Sequence, residues 1–252
     1  MPSCAEVLAE LVALSRELGR PELDYAILGE GNTSACCGDG TFLVKASGTS
    51  LSSASPQSFV RCDRQAVLAL LAPDSPDDAT VASTLRQAAG AAGPMPSVET
   101  LLHAICLTLD GVRFVGHTHP TPVVSLTCSA RFFELCARPV FPDQIVLLGQ
   151  APVLVPYCDP GVPLARTVHR LVSAHVATHG EYPRMILMQN HGLVVLGGTA
   201  RQVADRTAMA VKAARVLLGA AGVGAVTPLS PAHVERIHVR PDEHYRKQQL
   251  GL

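Results

Sequence analysis

Two histidines separated by one residue stand at the end of a short apolar segment, and this spacing suits metal binding. His117 and His119 follow residues 112–116, which we predict to form a strand. In a strand, residues two apart project to the same face and lie about 6.6 Å apart. Both imidazoles can therefore reach one metal ion while Thr118 points away. Two surface histidines at a strand end are the alternative for this pair taken alone.

A third histidine, His191, lies in the turn between the predicted strands 185–188 and 193–196. Gly192 follows it and allows a close backbone approach. Three neutral imidazoles with an open coordination position are typical of a catalytic zinc site. The chain has four further histidines on predicted helices, where solvated or helix-end roles are expected: His103, His169, His175 and His179.

Glu99 is a candidate acid for this set of histidines. The apolar spacing after it predicts a helix with Ser97 as N-cap and Gly111 as stop, which puts Glu99 in the first turn. An acidic residue there stabilises the positive end of the helix dipole, and this needs no active site. The functional alternative is a general base that faces the metal.

Two turns rich in glycine and hydroxyl residues, 29–34 and 46–50, follow the predicted strands 25–28 and 41–45. Their backbone N–H groups and hydroxyls are donors of the kind that bind a phosphate or a carboxylate. Ordinary tight turns have the same composition. Neither turn contains the Walker or dinucleotide fingerprint, so ATP and NAD sites have no support.

Helical and strand-like periodicities alternate along the whole chain, which predicts a single mixed α/β domain over residues 1–252. Ser3 and Glu6 have capping-box spacing, and Gly19 offers a stop for a first helix within residues 1–20. Residues 73–96 have little periodicity and are predicted to be a surface excursion with a short helix at 82–89. The remaining predicted elements are a strand at 112–116 and helices at 164–176 and 199–218, the second helix with Gly219 as its C-cap.

The composition describes a well-buried globular chain with no basic surface for nucleic acid. Of its 252 residues, 48% are hydrophobic and 16% charged, with a formal net charge of −1. No uncharged run approaches the ~20 residues that span a bilayer, so we expect no membrane partner and a small-molecule substrate. The N-terminus lacks the pattern of a signal peptide. The eight cysteines form no C-x-x-C pair, so we expect a reduced cytoplasmic setting with most cysteines as small core residues.

Five motifs in order show that the chain resembles the class II aldolase/adducin family over nearly its whole length. This resemblance implies a three-layer α/β/α fold with a largely antiparallel central sheet. The motifs are G-E-G-N-T-S at 29–34, K-A-S-G-T-S at 45–50, P-S-V-E-T at 96–100, G-H-T-H-P at 116–120 and Q-N-H-G at 189–192.

The resemblance implies a zinc ion held by His117, His119 and His191, with Mn²⁺ or Co²⁺ as alternatives, and Glu99 as the proton-transfer group. The implied reaction is a retro-aldol cleavage of a ketose through a zinc-stabilised enediolate. We expect burial to raise the pKa of Glu99 and so to aid proton abstraction from carbon. Related epimerases usually carry Asp at this position, so Glu99 favours carbon–carbon cleavage.

The resemblance also implies a binding site for the substrate phosphate, with Lys45 in contact with the substrate anion. Val98 stands where the sugar-phosphate aldolases commonly have a second serine, which weakens phosphate recognition without excluding it. The implied phosphate-site residues are Asn32, Thr33, Ser47, Gly48, Thr49 and Ser97.

A cyclic homotetramer with active sites at subunit interfaces is a further implication of the resemblance. The family's tyrosine from a neighbouring subunit has no match near Asp143, and Tyr245 in the tail is the candidate, against a plain solvated terminus. P-S-V-E-T and the tail are most similar to the aldolase-like domain of bacterial rhamnulose-phosphate enzymes, although we expect no dehydrogenase domain here. Epimerase, dehydratase or decarboxylase activity, or a non-catalytic adducin-like binding module, are the alternative functions.

Overall fold

A seven-stranded sheet forms the centre of the protein. The computed structural model describes residues 2–72, 76–90 and 93–242. The strands run in the order β3-β2-β1-β4-β7-β6-β5, and all neighbours are antiparallel except the parallel pair β5 and β6. The strands are β1 Asn32–Cys36, β2 Thr41–Lys45, β3 Phe59–Asp63, β4 Phe114–Thr118, β5 Val153–Val155, β6 Met185–Met188 and β7 Gly192–Gly197.

Helices cover both faces of this sheet. Successive strand residues point to opposite faces, and Leu43 accordingly lies in one apolar core while its neighbours Phe42 and Val44 lie in the other. The helices are α1 Cys4–Leu18, α2 Arg64–Leu68, α3 Asp78–Ala88, α4 Thr100–Cys106, α5 Thr121–Thr127, α6 Phe132–Cys136, α7 Pro142–Leu148, α8 Val162–His179, α9 Ala200–Val223 and α10 Pro231–His238.

The three layers have α1, α5 and α9 on one face of the sheet and α2, α4 and α8 on the other. The α/β fold class with a largely antiparallel sheet is therefore confirmed. Ser3 and Glu6 form the expected capping box of α1, and Gly19 is its C-cap. Strands β2 and β6 have the predicted bounds, and β7 pairs with β6 as the predicted hairpin partner.

Several predicted elements differ from the structure in their bounds. The strand predicted at 112–116 is β4, Phe114–Thr118, so His117 lies inside the strand rather than after it. Residues 25–28 are not a strand, because Asp24 and Leu28 have positive φ values of 55° and 52°; β1 begins only at Asn32, inside the predicted turn. Helix α4 is Thr100–Cys106, so Glu99 rather than Ser97 is its N-cap, and the helix ends well before Gly111. Helix α9 continues past Gly219, whose side-chain position is open, and ends at Val223.

Several elements were missed because their sequence pattern is short. Strand β5 has three residues, and α6, α7 and α10 have five to eight. The predicted short helix in the 73–96 excursion is α3, which begins at Asp78 rather than at residue 82. No helix among the described residues is long and apolar enough to cross a membrane.

The cysteines behave in two ways. Cys62, Cys106 and Cys136 are buried and unpaired, as expected for small core residues. Cys4 and Cys37 instead form a disulfide with a Cα–Cα distance of 4.9 Å, which ties the start of α1 to the chain just after β1. Their spacing in the sequence gave no sign of this pair, because only the fold brings them together.

Candidate active site

The site lies where three antiparallel strands meet at one end of the sheet. In the pairing register, His117 of β4 is opposite Asn32 of β1 on one side and Val194 of β7 on the other. His191 immediately precedes β7, after Asn190 turns the chain with a positive φ of 53°. The sheet therefore brings together residues that are far apart in sequence.

The three predicted metal ligands form one cluster. Ring centroids of His117, His119 and His191 lie 4.7–5.2 Å apart, and one ligand nitrogen from each lies within 4.8 Å of the others. His117 Nδ1 is 2.9 Å from the carbonyl oxygen of Leu193, so the ring donates there when neutral. Its Nε2 then carries the lone pair that metal coordination requires, and it lies 2.9 Å from Nε2 of His119.

Gly192 allows this cluster to close. A Cβ at this position would lie 2.6 Å from Cδ2 of His119 and 2.8 Å from the carbonyl oxygen of Thr118. Real Cβ atoms do not approach other atoms so closely, so any side chain would displace the strand end or the imidazole. The glycine after His191 is thus required by the approach of β7 to the end of β4.

Glu99 lies between two of the imidazoles. Its Oε2 is 3.2 Å from His117 Nε2, and its Oε1 is 3.1 Å from His191 Nε2. The side chain is 9% exposed. Despite the short distance to His191, no described donor is aligned for a hydrogen bond with the buried Oε1. A buried carboxylate oxygen without a hydrogen-bond donor is a suitable partner for a cation.

The expected rise in the pKa of Glu99 is wrong. Burial on its own raises this pKa, but the imidazoles of His117 and His191 outweigh it and hold the pKa below its usual range. The same contact with Glu99 raises the pKa of His117 against its burial. Burial, together with the charges on the other two imidazoles, lowers the pKa of His119 to about 3.

These residues fit a divalent metal ion. The three imidazoles cluster together, with the Glu99 carboxylate within 3.2 Å of two of them, and three imidazoles suit Zn²⁺ and also Mn²⁺ or Co²⁺. Glu30 Oε1 lies 3.8 Å from His119 Nδ1, where a carboxylate helps to orient a ligating imidazole. Among the described residues, His117, His119 and His191 are the one group of three or more potential ligands.

His103 was wrongly expected to have a solvated or helix-end role. It lies in α4, is fully buried, and hydrogen-bonds Ser34 and Asn32 on β1. Asn32 in turn donates to Glu99 Oε2 at 2.8 Å and to Ser97 Oγ at 3.2 Å. A signal was present in the sequence, since His103 follows Glu99 by one helical turn and so shares its side of the segment.

The predicted anion-binding residues lie in two groups. An isolated bridge between Ala46 and Pro96 brings the 46–50 turn beside Ser97, and Ser47 and Gly48 are exposed there. Ser47 and the exposed Val98 line a groove of about 580 Å³. Val98 directly precedes Glu99 in the chain, so the groove lies beside the segment that carries this carboxylate.

Two other residues predicted to contact the substrate form hydrogen bonds within the protein instead. Thr33 hydrogen-bonds Ser15 of α1 at 2.6 Å, so its hydroxyl lies on the opposite face of the sheet from Asn32. Lys45 is buried and its Nζ donates to the carbonyl oxygen of Thr49. Burial lowers the pKa of Lys45, and the charge of Glu99 partly offsets this. Tyr245 lies outside the described residues.

Comparison with known proteins assigns a family to most of the chain. Residues 9–218 match the sequence model of the class II aldolase and adducin N-terminal domain. A curated relative, the uncharacterized oxidoreductase YuxG of Bacillus subtilis strain 168, is 27% identical over 165 residues, which are 65% of this chain. The chain covers only 22% of the length of that relative.

Two solved structures show the same architecture. The N-terminal class II aldolase domain of a conserved protein from Thermoplasma acidophilum is 27% identical, with a TM-score of 0.66 over 84% of this chain and 93% of that one. An L-fuculose 1-phosphate aldolase is 17% identical, with a TM-score of 0.71 over 98% of each chain. At 17% identity, the similarity to the L-fuculose 1-phosphate aldolase shows the fold alone.

Proposed function

Since the chain belongs to the class II aldolase and adducin family, we propose that it is a metal-dependent aldolase that cleaves a ketose phosphate, or a related keto sugar or keto acid, by a retro-aldol reaction. The family membership agrees with the resemblance identified from the five motifs. The observation that carries the proposal is the position of Glu99, within 3.2 Å of two of the three clustered imidazoles. A proton-transfer group beside a Lewis-acid site is the arrangement this reaction needs.

The ligands in this proposal are His117, His119 and His191, and the ion is Zn²⁺, with Mn²⁺ or Co²⁺ able to use the same donors. When bound, the ion supplies Lewis-acid polarisation of the substrate carbonyl. We place the entry of the substrate at the Ser47 and Val98 groove, since Val98 directly precedes Glu99 in the chain.

Glu99 moves a proton at carbon. In the condensation direction its ionised carboxylate takes the proton from the carbon beside the donor carbonyl, and the electron pair of that C–H bond forms the new bond to the aldehyde carbon. In the cleavage direction Glu99 begins protonated: the C–C electron pair returns to the donor carbon, which takes its proton from Glu99, while the hydroxyl proton lost on forming the aldehyde goes to the second acid–base group. The lowered pKa of Glu99 keeps the carboxylate in the form that can accept the proton.

Different residues are candidates for binding the substrate anion and for transferring the second proton, the one on the aldehyde oxygen. Exposed Ser47 and Gly48, with Ser97 beside them, offer donors to a phosphate or carboxylate. We assign the second proton, on the aldehyde oxygen, to Tyr245 from a neighbouring subunit of a homotetramer. Thr49 remains a further candidate for anion binding, whereas the side chains of Asn32, Thr33 and Lys45 are buried and already hydrogen-bonded within the protein.

Deuterium exchange tests the proposal without knowledge of the acceptor aldehyde. The zinc-loaded protein is incubated in D₂O with dihydroxyacetone phosphate, and separately with dihydroxyacetone, glycolaldehyde and pyruvate. Proton NMR then follows loss of the C–H signal beside the carbonyl. We expect exchange of at least one donor, abolished by a chelator and restored by Zn²⁺.

The donor that exchanges reports whether a phosphate is needed. Absence of exchange with every donor, in protein that holds its metal, contradicts the aldolase proposal. Loss of water or carbon dioxide from the donor in place of exchange supports a dehydratase or a decarboxylase on the same scaffold. Metal-free protein that exchanges at the full rate contradicts metal dependence.

A further inference from the structure

We infer that His103 is a positioning residue that, through Asn32, fixes the direction of the Glu99 carboxylate, and that it does so as the neutral tautomer protonated on Nε2. The inference rests on the proposed role of Glu99 in proton transfer. It adds a residue that touches neither the metal ligands nor the substrate. The supporting geometry is a chain of hydrogen bonds from Ser34 to Glu99.

The chain of contacts is continuous and buried. Ser34 Oγ lies 2.6 Å from His103 Nδ1, and His103 Nε2 hydrogen-bonds Asn32 Oδ1. Asn32 Nδ2 lies 2.8 Å from Glu99 Oε2. His103 and Ser34 are fully buried, and Asn32 is 5% exposed. Water cannot readily replace any of these partners, so each group depends on the next.

The donor and acceptor of each hydrogen bond in this series follow from Glu99, at which the series ends. An ionised carboxylate only accepts hydrogen bonds, so Glu99 requires the NH₂ group of Asn32. The carbonyl oxygen of Asn32 then faces His103 and needs a donor, which places the ring proton on Nε2. Nδ1 is left with a lone pair and accepts from the Ser34 hydroxyl. With the opposite tautomer, two acceptors would face each other between His103 and Asn32.

The environment of His103 favours a neutral ring. Burial, together with the charge of His117 across the site, lowers the pKa of His103 to about 3, and the charge of Glu99 opposes this only in part. Protonation would give Nδ1 a hydrogen that points at Ser34. The neutral ring keeps one donor and one acceptor, which is the pattern the two strand residues require.

The positions of Asn32 and Ser34 on β1 explain why both side chains reach the imidazole of His103. Asn32 and Ser34 are two apart in a strand, so both project to the α4 side while Thr33 projects to α1. His103 occupies the gap between them. An apolar side chain at 103 would fill this space but would leave the Asn32 amide free to turn. Glu99 Oε2 would then lose the hydrogen bond that Asn32 of β1 donates to it.

Three variants separate positioning from packing. His103→Gln keeps an N–H donor near the position of Nε2, His103→Leu keeps the volume without the donor, and Ser34→Ala removes only the partner of Nδ1. His169→Gln, at an exposed position of α8, is the matched control. Each zinc-loaded variant is measured for donor exchange in D₂O, zinc content and melting temperature.

We expect His103→Leu to lower the exchange rate at saturating donor by about 10–100-fold, the usual cost of losing such an outer partner, with an unchanged donor concentration at half-saturation and retained zinc. His103→Gln recovers most of that loss. A folded His103→Leu protein with the full exchange rate overturns the inference. So does a Gln variant as slow as the Leu variant.

A readout that does not use activity is solid-state ¹⁵N NMR of protein labelled at its ten histidines. The spectra of the parent and of His103→Gln identify the His103 signals. We expect a neutral ring with Nε2 protonated and Nδ1 shifted by Ser34→Ala; an Nδ1–H or charged ring overturns the inference. If the parent exchanges no donor, the proposed function fails, and this spectrum alone decides on the tautomer and its contacts.

Discussion

The carboxylate of Glu99 and the imidazole of His117 come within 3.2 Å of each other, although one precedes a helix and the other ends a strand. Although Glu99 is the N-cap of α4, its side chain makes no capping hydrogen bond with that helix. It is instead held by Asn32 from the neighbouring strand. In the proposed function, this contact puts the proton-transfer group beside the three clustered histidines.

Metal binding should depend on all three imidazoles. We expect one divalent ion per chain, and His117→Ala, His119→Ala or His191→Ala each to lower its affinity severely, because each removes one ligand. Elemental analysis and Co²⁺ titration measure this. A ligand that binds only the folded state stabilises it by about 2.7 kcal/mol at 100 times its dissociation constant, so zinc should raise the melting temperature of the parent. Unchanged zinc content in the variants contradicts the assigned ligands.

The glycine beside His191 should be required for this metal site. Gly192→Ala places a Cβ 2.6 Å from His119 Cδ2, and overpacking of this kind typically costs about 1–3 kcal/mol. We expect weaker Co²⁺ binding and a lower melting temperature. Gly219→Ala is the control, because its Cβ has no atom within 4 Å and the position is helical.

For that control we expect stabilisation of about 0.4–1 kcal/mol and unchanged metal binding. Equal behaviour of the two alanine variants would show that the tight approach at Gly192 is unimportant.

Burial of His103 should make the stability depend on pH. Its pKa is about 3 in the folded protein and about 6.5 in an unfolded chain. Between these values the unfolded state binds a proton that the folded state does not. The free energy of unfolding therefore falls as the pH falls below about 6.5, by up to about 1.4 kcal/mol per pH unit for this group.

Urea denaturation of metal-free parent and His103→Gln at about pH 7 and about pH 5 measures this contribution. The parent should lose more stability than the variant on acidification. The comparison isolates His103, because the other titrating groups at the site, Glu99 and His117 among them, are common to both proteins. An identical loss in both would mean that His103 is not buried as a neutral ring.

Mixed oligomers test the role assigned to the tail. A chain that ends before Pro241 should keep its metal and lose turnover if Tyr245 serves a neighbouring site. Co-assembly with Glu99→Gln chains should then restore part of the activity, because an intact tail can reach an intact carboxylate. Native mass spectrometry confirms subunit exchange and the expected tetramer. No recovery in mixed oligomers contradicts a shared site.

The clustering of His117, His119 and His191 could be predicted from the sequence because their pattern is local. His117 and His119 lie on one side of a strand end by the two-residue period, and a glycine marks the turn at His191. The predicted bounds of β2 and β6 held because their apolar runs are continuous.

The contacts across strands were not predictable from one sequence. Nothing local places Asn32 opposite His117, and the role of His103 depends on that register. The pKa of Glu99 was predicted in the wrong direction, because burial is visible in the sequence pattern while the two neighbouring imidazoles are not. The disulfide between Cys4 and Cys37 depends on the packing of α1 beside β1 in the same way.

The most direct test of the account is the rate of donor deuterium exchange by zinc-loaded Glu99→Gln protein, beside the parent and a Glu10→Gln control on the exposed side of α1. The amide keeps the shape of the side chain but cannot accept the proton. For Glu99→Gln we expect full zinc content, a native fold and an exchange rate lower by about 10²–10⁴-fold. If Glu99 serves only the helix dipole, the substitution costs about 0.3–1 kcal/mol of stability; exchange at the parent rate would contradict the account.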